Sequence, residues 1–192
     1  MIKSKADYFE YVQKDTLANI GKGNCNWFFM RLNIWYGNDQ YRFLKYMKAL
    51  RRYEYCLNCL NGPIGKLLTT FAKIRWHYIG ARYNVNILPN VVGYGFRVPH
   101  LTGGLIINCK SVGNNCTANA GVIVGNNNRG ELAVIGDNVD LTVGSKVIGG
   151  VIIGNNVTVA PNSVVVKDIP DNAIVSGIPA QIIKMKGTSL PS

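Results

Sequence analysis

Ile135-Gly136-Asp137-Asn138-Val139-Asp140-Leu141-Thr142-Val143-Gly144-Ser145-Lys146-Val147 opens a stretch in which an aliphatic residue returns every sixth position, through Ile153 and Val159 to Val165. A second column stands at Val139, Ser145, Val151, Val157, Ser163 and Ile169. An α-helix repeats at about 3.6 residues and a half-buried strand at about 2, so neither generates this beat. A hexapeptide repeat with small or β-branched inward positions marks a parallel β-helix, in which each coil stacks on the one before. The expected fold class is therefore mainly β, a left-handed parallel β-helix with three hexapeptides to a triangular coil, preceded by a small α-helical N-terminal region.

The beat runs back through Val124, Ala118 and Val112, and less regularly to Asn84. From Val124 to Ile135 the spacing is eleven residues rather than twelve, and the excursion is Asn126-Asn-Asn-Arg-Gly-Glu-Leu132. A loop leaving a solenoid there overhangs one face, and such loops commonly border a site. The expected organisation is a helical region over 1–83, a β-helix over 84–186 and a tail over 187–192.

The front end reads as helices. A short one is expected over 7–19, and Trp27-Phe-Phe-Met-Arg-Leu-Asn-Ile-Trp-Tyr36 follows as an aromatic-rich stretch. From 40 to 59, Phe43, Tyr46, Met47, Leu50, Tyr53 and Leu57 recur at helical spacing, with Arg42, Lys45, Lys48, Arg51 and Arg52 on the other faces. Asn61-Gly62-Pro63 breaks that helix and starts another, whose Ile64, Leu67, Leu68, Phe71, Ile74 and Tyr78 share one face to about residue 82. The pair is expected to pack as a helical hairpin that covers the open end of the solenoid, with the front-end aromatics, Trp27, Trp35 and Tyr36 among them, in the core. The alternative reading is a peripheral membrane contact through Trp27, Trp35, Tyr36 and the Arg/Lys rows.

The 192 residues carry a net charge of +11 and are 47% hydrophobic, enough to bury a substantial core. Residues 1–84 hold fourteen Lys/Arg against five Asp/Glu, and residues 85–192 seven against five, so the surplus belongs to the front. No nucleic-acid motif accompanies the charge, and no nucleic-acid partner is expected. Cys25, Cys56, Cys59, Cys109 and Cys116 lack a disulfide framework, and the one CxxC lacks the partners that zinc needs. Cys116 falls on an inward repeat position and reads as a small buried hydrophobe. No metal is expected. With no secretory h-region and no apolar run near about 18 residues, the chain is expected to be cytoplasmic.

There are two histidines. His77, beside Lys73 and Thr70 on the second basic helix, reads as a solvated surface residue. His100 follows Pro99 in an early coil and precedes Leu-Thr-Gly-Gly. An imidazole there can take a proton from a hydroxyl at neutral pH. Two histidines are too few for the three-histidine zinc site of a γ-class carbonic anhydrase. Neither a GxSxG nor a phosphate-binding glycine loop is present.

Gly93-Tyr-Gly-Phe-Arg-Val-Pro-His100-Leu-Thr-Gly-Gly-Leu-Ile-Ile-Asn108, Ile135-Gly-Asp-Asn-Val139, Ser163-Val-Val-Val-Lys-Asp-Ile-Pro-Asp-Asn172 and Ser176-Gly-Ile-Pro-Ala180 resemble the hexapeptide-repeat acyltransferases. The likeness is to serine O-acetyltransferase and its relatives in surface-polysaccharide gene clusters, and covers residues 84–186. It implies a homotrimer with acetyl-CoA as cosubstrate, held in a groove between neighbouring β-helices. It implies His100 as general base, with Asn86 near the position of its orienting partner. A backbone N–H near Gly144 is the implied oxyanion donor. The CoA groove is implied at Val143, Gly144, Pro161, Val166, Lys167, Gln181 and Lys184, with Asn119 and Arg129 near the acceptor.

Departures from the pattern shape the expected acceptor. Asn86 replaces an aspartate, Pro99 replaces an acidic residue, and the second histidine that helps to hold an amino-acid acceptor is missing. A zwitterion needs paired charges for recognition, so the expected activity is an acetyl-CoA-dependent O-acetyltransferase acting on a sugar hydroxyl of a surface polysaccharide or its precursor. L-serine is the alternative acceptor, and an inactive trimeric scaffold is the third reading.

Overall fold

In the computed structural model, which describes residues 1–22, 26–127 and 129–187, four helices lead into a β-solenoid of about five turns. Cys25 and the tail beyond Gly187 lie outside the described residues. The helices are α1 (Lys5–Ile20), α2 (Trp27–Trp35), α3 (Asp39–Cys59) and α4 (Gly62–Tyr83). Three begin at side-chain caps: Ser4 accepts from the Asp7 amide, Asn26 from Phe29, and Asn38 from Gln40 and Tyr41. Pro63 supplies the pre-set φ that opens α4.

The left-handed parallel β-helix has three faces. The first carries β1 (Val85–Ile87), β2 (Leu105–Ile107), β5 (Ile123–Gly125), β8 (Lys146–Ile148) and β11 (Val164–Val165). The second carries β3 (Ser111–Val112), β6 (Val134–Ile135) and β9 (Ile152–Ile153). The third carries β4 (Thr117–Ala118), β7 (Asp140–Leu141), β10 (Thr158–Val159), β12 (Ala173–Gly177) and β13 (Ala180–Met185), the last antiparallel to β12. Both predicted columns point inward, and every residue from Val139 to Ile169 in the second is buried. At the corner between the second and third faces, Asx side chains accept from the amide of the coil below: Asn114 from Tyr94, Asp137 from Asn114, Asn155 from Asp137 and Asp171 from Asn155.

The helices cover the open end, and they do it with polar groups. The buried residues of α1 are Asp15 and Asn19. Asp15 accepts from the Gly95 and Phe96 amides, and Asn19 bonds the Phe96 carbonyl and the Val98 amide. From α3, the Tyr46 hydroxyl accepts from Ile87 N and Trp76 Nε1 at 2.9 Å and donates to the Ile87 carbonyl. Burial pushes that phenol's pKa up to about 12. Arg51 donates to the Val92 and Gly93 carbonyls, and Glu54 accepts from Asn90 N. Arg51 also pairs with Asp15 at 2.8 Å and Glu54 at 3.0 Å, all three side chains being about 1% exposed. Burial alone works against the guanidinium charge, but the two carboxylates hold its pKa above the ordinary arginine value.

Three expectations about the helices are overturned. The Ile64–Tyr78 stripe of α4 faces solvent, with Ile64 74% exposed and Phe71 63%. The helix packs instead through Gly65, Ala72, Trp76, Ile79 and Gly80. A Cβ on Gly80 would sit 2.7 Å from the Val85 carbonyl oxygen and 3.1 Å from the Tyr46 ring, so only a bare backbone fits. The aromatic stretch forms α2 and stays outside: Trp27, Trp35 and Tyr36 are each more than 70% exposed. Leu57, expected on the core face of α3, is also exposed. The thiols of Cys56, Cys59, Cys109 and Cys116 are free, and burial pushes those of Cys109 and Cys116 up to about 12 and about 11. Among the described residues no helix is long and apolar enough to cross a membrane.

Removing one partner of a buried ion pair leaves the others uncompensated, at a cost of about 3–5 kcal/mol. Arg51→Ala strips Asp15 and Glu54 of their counter-ion together, and is expected to lower the unfolding free energy by at least about that amount. Urea unfolding followed by circular dichroism measures it, and a loss under about 1 kcal/mol would show that the cap is ornamental.

Candidate active site

The third face feeds one corner of the prism in every coil. Arg97 stacks on Thr117, Thr117 on Asp140 and Asp140 on Thr158. Three residues beyond each, the chain turns back toward the first face at His100, Ala120, Val143 and Pro161. Backbone bonds knit this edge: Gly121 N to Gly104 O, Gly144 N to Ala120 O, and Asn162 N to Val143 O, each 2.8–2.9 Å. His100, Asn119, Val143, Gly144 and Pro161 therefore form a single column, with roughly 5 Å between coils. Gln181 extends it at the top, where it pairs with Ser176.

His100 is exposed, and among the described residues its ring makes no hydrogen bond within the chain. The corner that carries it is longer than the next: nine residues separate Arg97 from Ile106, whereas six separate Thr117 from Ile123, their stacked partners. The chain is anchored one residue later, where Leu101 N donates to Asp39 Oδ2 at 3.1 Å. Asp39 is the first residue of α3, and its other oxygen meets Arg42 at 3.4 Å. No local signal marks this contact, because its partners lie 62 residues apart.

Several candidates stand away from this column or have their polar groups engaged within the chain. The Gly144 amide donates to Ala120 O and is not free to stabilise an oxyanion. Its φ of +68°, matched by Asn162 at +57° one coil up, serves the turn. The neighbouring Val143 N–H donates to nothing among the described residues, while Val143 is 46% exposed. Asn119 Oδ1 accepts from the Ala120 amide, so its side chain is folded onto its own corner. Asn86 makes no hydrogen bond to His100; it lines a cleft against α4 with His77, Trp76, Gly80 and Ile106. Lys184 stands opposite Ile174 on the third face, away from the column. Lys146, which the sequence reading passed over, is half-buried on the first face with Nζ 3.1 Å from Gly144 O.

Arg129, Val166 and Lys167 sit on another edge, the corner between the first and second faces. The overhanging loop is organised by Asn127, whose Oδ1 accepts from the Arg129 and Glu131 amides and whose Nδ2 donates to Glu131 Oε2. It rests over Gly149 and Gly150 of the next coil; a Cβ on Gly150 would lie 3.0 Å from Glu131 Cβ. Within one chain, then, the residues expected to share a site divide mainly between two edges that flank the first face, with Asn86 and Lys184 on neither.

No protein-family model matches the chain. It is 36% identical over 112 residues to serine acetyltransferase of Mycobacterium tuberculosis, covering 56% of this chain and 48% of the relative. It is 36% identical over 99 residues to serine acetyltransferase of Staphylococcus aureus, covering 50% and 46%. The chain thus spans about half the length of the curated relatives it matches. Among solved structures it resembles serine acetyltransferase from Brucella abortus (TM-score 0.68, 21% identity, 96% of this chain and 72% of that one). It also resembles the Neisseria gonorrhoeae enzyme crystallised with serine (TM-score 0.66, 23% identity, 92% and 69%) and the Brucella abortus enzyme crystallised with coenzyme A (TM-score 0.62, 18% identity, 96% and 71%). The chain resembles the hexapeptide-repeat acyltransferases, serine O-acetyltransferase among them. The structural likenesses carry the fold, helices included.

The Asp39–Leu101 bond generates a test independent of turnover. In Asp39→Ala the Leu101 amide is expected to exchange with solvent at least about tenfold faster, as loss of a bond to a charged group of about 1.5–3 kcal/mol implies. Asp39→Asn, which keeps an accepting oxygen, is expected to restore most of the protection. Amide exchange read at Leu101 decides it; equal protection in the alanine variant would remove Asp39 from the anchoring of this corner.

Proposed function

We propose that the chain transfers an acetyl group from acetyl-CoA directly to an acceptor hydroxyl, with His100 as general base. The observation that supports this best is the column at one prism edge: an exposed imidazole without an internal partner, an unused N–H at Val143 and an exposed Pro161 whose carbonyl accepts nothing among the described residues. Those backbone groups suit the amides of a pantetheine arm laid along the edge. A ring nitrogen of His100 takes the acceptor's proton as its oxygen attacks the thioester carbonyl, and returns it to the departing thiolate when the tetrahedral intermediate collapses. Val143 N–H, next to Gly144, is the candidate oxyanion donor. Lys146 and Lys167 are the cations best placed for phosphate, on the first face and at its far edge.

The division of residues between two edges supports a shared site. A three-fold ring that seats the His100 edge of one copy against the Arg129–Lys167 edge of the next closes with every interface alike. The homotrimer that the family resemblance implies supplies that arrangement.

The activity in the relatives' names makes L-serine the first acceptor, ahead of the sugar hydroxyl expected from the sequence. A second reading keeps the sugar, and one observation favours it. The carboxylate that anchors the residue after His100, Asp39, is already bonded to Leu101 N and Arg42, and Pro99 offers none. An amino-acid ammonium would find no free counter-charge from these residues.

Thiol release from acetyl-CoA, followed with L-serine, free hexoses and nucleotide sugars in parallel, separates the acceptors. His100→Ala is expected to lower kcat/KM by about 10²–10⁴ with whichever acceptor is used, while coenzyme A affinity stays within about twofold. Equal rates in the variant would falsify the general-base role. The shared site predicts complementation: His100→Ala and Lys167→Ala chains, unfolded together and refolded as a mixture, are expected to exceed the activity of either alone. A mixture no better than its parts would place the whole site within one chain.

A further inference from the structure

The α2–α4 surface matches nothing that acetyl transfer requires. Between Trp27 and Tyr83 stand ten Lys/Arg and two Asp/Glu. Both acids are spent: Glu54 on Arg51 and Asn90, Asp39 on Arg42 and Leu101. Lys45, Lys48 and Arg52 follow one another along α3 and, with Arg75 of α4, line a cleft of about 720 Å³ that no acidic side chain enters. The crowding is physical: burial first, then the Arg75 and Arg82 charges, push the Lys45 ammonium below the ordinary lysine value.

The rim of this cleft is apolar and exposed. Leu68 and Phe71 line it from α4, and the same helix presents Ile64, Leu67, Ile74 and Tyr78 to solvent. Trp27 (71% exposed) and Trp35 (77%) stand on α2 beside it. Monomeric proteins rarely expose so continuous an apolar patch without a partner. A second copy fits poorly, since pairing this face with itself would set two cation clusters against each other.

We propose that this face docks the protein on an anionic phospholipid bilayer, with headgroup phosphates entering the Lys45–Arg75 cleft and the aromatic and aliphatic side chains of α2 and α4 entering the interface. Both halves of the recognition are those of interfacial helices: cations for anionic headgroups, and Trp and Phe for the boundary between headgroup and acyl chain. The proposal stands apart from the acetyl-transfer reading and is tested without turnover.

The full chain is sedimented with phosphatidylcholine vesicles with and without phosphatidylglycerol, at low and high salt. Binding is expected only with the anionic lipid and is expected to weaken as salt rises. Each cation removed should weaken it about fivefold, so Arg52→Gln with Arg75→Gln should cost about 25-fold. Trp35→Ser with Phe71→Ser should weaken it without changing its salt dependence. Trp27 and Trp35 emission should shift to the blue on binding, while Trp76, already buried, contributes no shift. These side chains are exposed, so unchanged far-ultraviolet circular dichroism should confirm that the variants fold. No sedimentation with anionic vesicles, equal binding to neutral ones, or light scattering that shows copies joined through this face in place of lipid would each overturn the proposal.

Discussion

A stacked coil must begin somewhere, and its first turn presents a row of backbone donors and acceptors with no coil beneath them. An open edge of that kind invites pairing with another chain. Here it is closed by side chains. Tyr46 serves the first face, Glu54 and Arg51 serve the approach to the second, and Asp15 and Asn19 serve the corner and third face. Asp39 serves the corner after His100. The cap is polar because its targets are polar, which is why α1 buries an aspartate and an asparagine.

That constraint explains which parts of the fold were legible in the sequence. The solenoid repeats its own geometry, so Ile135, Leu141 and Val147 announce it at a glance. The helices answer to a surface that is irregular and distant in sequence. Arg51 looks like one more solvated cation in a basic row, and nothing local separates it from Arg52; only the carbonyls of Val92 and Gly93, some forty residues on, make it the buried one. The same blindness misplaced α4. Its large apolar residues suggest a core face, but the packed face is the one where Gly80 leaves only bare backbone against β1 and Trp76 reaches the Tyr46 hydroxyl, with Ile79 and Ala72 beside them. Bulk then has nowhere to go but outward.

The candidate site was partly legible for a related reason. His100 could be picked out because it is one of two histidines and stands in the coil that carries the resemblance to the acyltransferases. The role of Gly144 could not, because whether an amide is free depends on the coil below, and Ala120 O already holds it. Asn86 sits near His100 in sequence, but strand β1 aims it into the cleft against α4.

The two insertions into the hexapeptide beat are the strongest pointer to the proposed site. A solenoid tolerates extra residues only at corners, where they leave the stack without breaking its ladders. In this chain the corner after Arg97 holds three residues more than its stacked neighbour, and the loop at 126–132 lengthens another: Val124 pairs with Val147, 23 residues on, whereas Val147 pairs with Val165, 18 residues on. The two insertions lie on the two edges bounding one face, and the second and third faces meet at a corner that stays regular and laced by Asx side chains. Insertions in repeat proteins gather on the binding face. A ligand spanning both edges of one copy would have to cross the whole first face, whereas one seated between copies would meet an edge from each. The placement of the irregularities thus supports, independently of any single residue, the proposal of a site shared between neighbouring subunits.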